Sequence, residues 1–233
     1  NNTPITSGTK RLEVGEDIFA FYLRRWYGVD PTDGAGLFYA NATSTTDIRT
    51  GPKGEKLTNN PTNADFGYAG SAIPKHFGSI NNTFTIQNIS INFLLNYQKG
   101  GKFYDGNYAG LMAVTYGRAL HTDALRAWKN PGDITDVPRL DINQSNARFN
   151  AQSDRFLIDA SYLNLRNVAI TYNVPKTVTS KLGLENLRVF VGGENLFILS
   201  KRQGLNPAES FNGTNSPVYT PNRLVNIGFN TNF

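Results

Sequence analysis

The chain holds 233 residues with a net charge of +5 and no cysteine, which excludes a disulfide framework and a thiolate metal site. Only 39% of its residues are hydrophobic and mean hydropathy is −0.38. No stretch approaches the roughly 20 consecutive apolar residues of a transmembrane helix; a β-barrel, apolar only at alternate strand positions, stays open.

Gly, Asn, Asp and Pro clusters punctuate segments rich in Ile, Val, Phe, Tyr and Thr, the pattern of strands and turns. Strands are expected at residues 17–28 and 37–41. A hairpin follows: Ile80, Phe84 and Ile86 share a face with Asn82, and Ile89, Ile91, Phe93, Leu95 and Tyr97 form the next apolar face, with Gln87-Asn88 as a tight two-residue turn. Residues 109–128 carry apolar positions compatible with helical turns broken at Gly117. In the strand 161–173 the apolar phase shifts from Leu163 and Leu165 to Val168, Ile170 and Tyr172, as an inserted bulge residue would cause. Residues 175–183 suit a short helix with Pro175 at its start and Gly183 at its end. In the strand 187–199, Gly192-Gly193 marks a bend or a close backbone approach.

The last strand, 223–233, alternates nearly without fault. Val225, Ile227, Phe229, Thr231 and Phe233 fall on one face, and Asn226, Gly228, Asn230 and Asn232 on the other. A strand that ends on an aromatic suits a barrel in a bilayer better than the fraying terminus of a soluble domain. With that end in the periplasm, parity over about seven strands sends the long connections 42–76, 106–160 and 200–222 outside, and the turns 29–36, 87–89 and 174–186 inside. Outer-membrane barrels sort long and short connections in this way. The chain starts at Asn1 with no signal peptide, and its only Met is Met112, so it reads as the end of something longer.

At this point the residues resemble the C-terminal barrel region of SusC-like TonB-dependent outer-membrane transporters. The landmarks come in family order: Val14-Gly-Glu-Asp-Ile-Phe-Ala-Phe-Tyr-Leu23, Gly28-Val-Asp-Pro31, Ile73-Pro-Lys-His-Phe77, Arg126-Ala-Trp128, Asp136-Val-Pro-Arg139, the stretch 153–175, Leu187-Arg-Val-Phe-Val191 and Gly193-Glu-Asn-Leu-Phe197. The resemblance implies an all-β, antiparallel transmembrane β-barrel, of which residues 1–233 supply about seven of probably 22 strands. The N-terminal plug and the other strands lie elsewhere. It further implies import of a bulky nutrient, glycan or oligopeptide, in the bacterial outer membrane. Its partners would be a SusD-like surface lipoprotein, TonB acting through the plug, outer-membrane lipid and the barrel-assembly machinery. Asn226, Gly228, Phe229 and Phe233 resemble the terminal signal which that machinery reads, with Thr231 departing from it. Two alternatives stand beside this reading: a secreted carbohydrate-binding β-sandwich and a small standalone outer-membrane barrel.

Chemistry is sparse. His76 and His121 are the only histidines and have no metal or triad spacing around them, so no enzyme and no cofactor is expected. Asp133, Asp136 and Asp141 could offer oxygens to Ca²⁺, but they lack the EF-hand pattern, and turn capping explains them more simply. Gly192-Gly193 precedes no helix with a Lys and is no phosphate cradle. Tyr97, Tyr172 and Phe197 suit the aromatic girdles of a barrel. Tyr108, Trp128 and Arg139, in the large outer loop, are the candidates for ligand or lid contact, against a structural role that the aromatics favour. Lys and Arg are scattered among segments and form no basic stripe, so nucleic acid is not an expected partner.

Overall fold

The computed structural model describes residues 3–141, 150–215 and 219–232. The ladders of its three larger sheets are antiparallel. The chain divides into two compact units, neither of them contiguous in sequence.

Unit 1 takes residues 1–73, 102–158 and 210–217. Strands β1 (Ile5–Ser7), β2 (Lys10–Leu12), β3 (Ala20–Arg24) and, later, β8 (Phe66–Ser71) form one sheet in the order β1-β2-β3-β8. Strands β4 (Trp26–Val29), β5 (Gly36–Tyr39), β6 (Ile48–Thr50) and β7 (Lys56–Thr58) form another in the order β4-β5-β7-β6. The expected single strand at 17–28 is therefore two strands in two sheets. Arg25 makes the transfer: its N–H donates to the Asp65 carbonyl at 3.0 Å and its carbonyl accepts from the Tyr39 N–H at 2.9 Å. The stretch 42–76, expected as a loop, also carries strands β6, β7 and β8. Two of these are only three residues long, too short to show a period. A core of Phe21, Leu23, Tyr104, Met112, Val137 and Phe156 holds the unit together.

Within unit 1, the Arg49 guanidinium bridges Asp30 at 2.7 Å and Asp33 at 2.8 Å. Its hydrogen bond lowers the Asp33 carboxyl below the usual range. Burial pushes the Asp30 carboxyl up, but hydrogen bonds from Thr32 and Arg49 outweigh that and bring it down. Carboxyls depressed in the fold stabilise it above their ordinary range near pH 4, and that support is lost as the pH falls through the lowered values. The Gly34 N–H, bonded to the Asp30 carbonyl at 2.8 Å, should therefore keep its hydrogen-exchange protection factor from pH 7 to 5 and show a few-fold decline as the pH falls below about 4. Arg49→Gln should lower the factor at neutral pH by about 0.5–1 kcal/mol, the range of a partly exposed pair. An unchanged factor in this variant would rule out a stabilising role for the Arg49 ion pairs.

Unit 2 takes residues 74–101, 159–209 and 218–233. Strands β9 (His76–Ile86) and β10 (Ile89–Lys99) form the expected hairpin. Gln87 takes φ 51°, the positive value that the first central residue of such a turn adopts. The chain then runs through unit 1, where β11 (Lys102–Tyr104) and helix α1 (Gly106–Leu111) lie, and returns after β12 (Leu157–Asp159). Strands β13 (Tyr162–Asn173), β14 (Asn186–Ser200) and β15 (Leu224–Asn232) complete a sheet in the order β15-β14-β13-β10-β9. Helix α2 (Lys176–Thr179) and a 3-10 turn at Ser180–Leu182 follow Pro175 and end at Gly183, φ 70°, as the sequence predicts.

The strands of unit 2 are 9 to 15 residues long, whereas no other strand among the described residues exceeds six. A bilayer crossing needs about 9–11 residues. Five of the seven strands expected to cross are thus of crossing length. The other two, at 17–28 and 37–41, belong to the short-stranded unit 1. The turn 87–88 and the α2 connection leave one end of the sheet, and the two long connections leave the other.

Candidate functional site

The strand register gives the unit 2 sheet two chemically opposed faces. Directly paired residues point to the same side, so each row can be read across the ladder. One row runs Ile86, Ile89, Tyr172, Val189 and Phe229, and the next Phe84, Ile91, Ile170, Val191 and Ile227. The third is Asn82, Phe93, Val168, Gly193 and Val225. Past the bulge, Ile80, Leu95, Leu165 and Phe197 follow, and then Gly78, Tyr97, Leu163 and Leu199. This face is apolar almost throughout and is open: Ile227 is 76% exposed and Phe229 69%. Rows two residues apart, at about 3.4 Å per residue, extend about 27 Å along the strands and about 19 Å across them. At a strand tilt near 40° the height is about 21 Å, close to the ~25 Å apolar band of an outer-membrane barrel. Tyr172 and Tyr97 sit in the two end rows, where a girdle requires aromatics.

The opposite face is mostly polar, rich in Asn, Ser and Thr with Arg188 and Glu194 among them, and interrupted by Leu94, Phe190 and Ile198. Ser79, Asn81, Thr83 and Thr85 of β9 lie beside Ser90, Asn92 and Asn96 of β10, and the Asn92 amide donates to Asn81 at 3.1 Å and to Thr83 at 2.9 Å. Aromatic rings cover glycines on both faces. A Cβ on Gly78 would meet the Tyr97 ring at 3.1 Å, and one on Gly228 would meet the Phe190 ring at 2.5 Å.

The bulge falls where the sequence phase shifts, with Arg166 unpaired between Leu165 and Asn167, and Asn195 and Leu196 unpaired opposite. Beside it lies a cavity of about 670 Å³, lined among others by Arg166, Asn195, Gln203, Asn206, Glu209 and Arg223. Asn195 adopts φ 50° and its amide donates to the Asn222 carbonyl at 3.2 Å, tying the bulge to the segment before β15. The Ser200 hydroxyl lies 2.9 Å from the Arg202 carbonyl and 2.7 Å from that of Leu205, which sets the turn leading into the cavity wall. Sequence reasoning saw the bulge but not that it carries an arginine into a cavity. The broken alternation at Arg166 was the available signal.

The residues singled out from sequence lie elsewhere. Tyr108 is buried in unit 1; its hydroxyl donates to Asp123 at 2.8 Å and its ring meets His121 edge-on. Trp128 is also buried, donating to the Pro31 carbonyl at 3.1 Å, and the Arg139 N–H donates to the Gly34 carbonyl at 2.8 Å. This placement gives the two aromatics packing work and little surface for a ligand. The Asp133 carboxylate accepts from the N–H groups of Asn130 and Lys129, which lowers its pKa, and Asp136 pairs with Arg126 at 3.2 Å. Both carboxylates thus have local partners, and Asp141 lies just before the undescribed 142–149. Among the described residues no group of three His, Asp or Glu is placed to hold a metal. Asn226, Gly228 and Phe229 lie in β15, the first two on the polar face and Phe229 on the apolar one. Phe233 lies outside the described residues.

No family model matches the chain. TonB-dependent receptor P3 of Formosa agariphila is 28% identical over 226 residues, 94% of this chain and 21% of the relative. Receptor P39 of the same organism is 28% identical over 70% of this chain and 17% of its own length. Over most of its length the chain is similar to these TonB-dependent receptors. It spans about a fifth of the length of these relatives, and the SusC-like resemblance drawn from its sequence holds. Its fold is that of part of a solved importer: a chain of the RagAB peptide importer in its 'open-open' state superposes with a TM-score of 0.71 at 20% identity, over 98% of this chain and 24% of that one. A second structure of the RagAB peptide transporter gives the same TM-score at 21% identity, over 95% and 23%.

Proposed function

We propose that the chain forms part of the wall and outer loops of an outer-membrane, TonB-dependent importer of a bulky nutrient, glycan or oligopeptide. The observation that carries this reading is the five-stranded sheet of crossing length with one open apolar face and one polar face. A soluble protein rarely leaves a contiguous apolar patch beyond a few hundred Å² uncovered, whereas here lipid is the natural cover. The polar face then belongs to the lumen. The turn 87–88 and the α2 connection take the periplasmic end, and the two long connections the outside. The rest of a 22-stranded barrel, its plug and the TonB contact belong to the remainder of the protein. A SusD-like surface lipoprotein covers the outer mouth, and the barrel-assembly machinery inserts the strands through the β15 signal. The peptide importers matched in fold support the oligopeptide class. No residue here has a chemical step to perform; transport is capture followed by movement of the plug.

These 233 residues carry no cysteine, so single spin-labelled cysteines placed in them can report on each face in the full-length protein in bilayers, once any cysteine elsewhere in that protein is replaced. Labels at Ile91 and Ile227 should be reached by dissolved oxygen and shielded from an aqueous nickel chelate, and labels at Asn92 and Asn226 should show the reverse. Water exposure at all four would overturn the membrane reading.

A further inference from the structure

The cavity of unit 2 joins three features that packing alone does not require together. First, its volume of about 670 Å³ lies within the range of small-molecule sites. Second, a bulge supplies one of its charged groups. A regular strand would keep Arg166 in the alternation of β13, and the extra residue re-aims it, a known use of bulges beside binding sites. Third, its charge is unbalanced. Two arginines, Arg166 and Arg223, face a single carboxylate, Glu209, and amides of Asn195, Asn206 and Gln203 are among the neutral polar groups of the lining. Among the described residues neither arginine makes an ion pair. The Asn195 and Ser200 hydrogen bonds fix the walls before any ligand arrives.

We propose that this cavity is a carboxylate-binding subsite, in which Arg166 and Arg223 hold an anionic group of the solute and the surrounding amides hydrogen-bond its neutral part. The guanidinium fork matches a carboxylate geometrically and stays charged at any physiological pH. Of the remaining wall residues, Ile198, Leu205 and Pro221 offer apolar contact to the body of the solute. The inference rests on the import reading and narrows it, since the carboxylate could be the C-terminus of a peptide or the acid of a uronic sugar.

Calorimetry on the purified full-length transporter tests it with four probes: an alanine tetrapeptide, its C-terminal amide, a galacturonate trisaccharide and the matching neutral galactose trisaccharide. At least one acid should bind tenfold or more tightly than its neutral counterpart, and the arm that does so names the source. Raising the salt from 50 to 500 mM should weaken that binding. Arg166→Gln should reduce it about tenfold. Arg223→Gln, outside the strands and so free of any folding role in the sheet, should do the same. Equal affinity for acid and neutral probes, or full affinity in both variants, would overturn the subsite. Outer-membrane fractionation of the same variants keeps the two readings apart: normal insertion without acid preference defeats the subsite alone, whereas absence of the parent from the membrane defeats the import reading.

Discussion

Lysine in place of Val168 should destabilise the inserted sheet by about 2–4 kcal/mol, the cost of a lipid-facing cation at the bilayer midplane. Val168 stands in the third of the five apolar rows, flanked by Phe93 and Gly193. Lysine at Tyr172, two rows away at the end of the band, should cost only about 0–1 kcal/mol, because its ammonium reaches the headgroup level. Denaturant titration of the full-length transporter folded into phospholipid bilayers measures both. The depth dependence is the diagnostic quantity. A soluble sandwich would penalise a buried lysine according to its packing neighbours and not according to distance along the strand, so equal costs at the two positions would remove lipid from the explanation.

Gly213→Ala should cost about 3 kcal/mol in unit 1. Gly213 adopts φ +67°, where an L-residue pays about 1–2 kcal/mol. A Cβ there would also lie 2.6 Å from the Ala72 Cβ and 2.7 Å from the Lys102 carbonyl, an overpacking worth about another 1–3 kcal/mol. The backbone cannot withdraw freely, since the Gly213 carbonyl accepts the Tyr104 N–H at 2.6 Å and, two residues on, Asn215 accepts from the Gly106 N–H at 2.8 Å. Gly204, in the same β14–β15 connection, is the control: it too has positive φ, 83°, but nothing lies within 4 Å of its missing Cβ. Its alanine variant should cost only the backbone part. Thermal unfolding compares the two, and similar losses would mean that Gly213 and its neighbours are not tightly held.

The sheet of unit 2 was legible in the sequence because a two-sided wall writes itself as strict alternation. Even its defect was readable: one extra residue at Arg166 moved the apolar phase from Leu165 to Val168. Unit 1 was not legible, for a physical reason. Its strands are three to six residues long, and its core gathers Phe21, Met112, Val137 and Phe156 from distant segments, so no local period announces them. The run 17–28 reads as one strand because nothing at Arg25 shows that its N–H and carbonyl serve different sheets. Tyr108 and Trp128 drew a ligand reading from loop position, and their partners, Asp123 and Pro31, could not be seen without the fold. For the cavity, Arg166 left a trace in the pattern, whereas Arg223 looked like the plain polar start of the last strand.

The division of the chain has a bearing on how it must fold. Unit 1 is completed by residues 210–217 and unit 2 by residues 218–233, so a cut anywhere between 74 and 209 leaves both unfinished. Neither can condense as an autonomous piece while the chain emerges, and each must wait for contacts that close loops of a hundred residues or so, such as Asn215 reaching Asp105. Closure over such lengths delays folding much more than it weakens the finished fold. Until residues 210–232 are delivered, the β14 edge lacks its β15 partner and unit 1 lacks its closing segment, which leaves apolar surface open to aggregation.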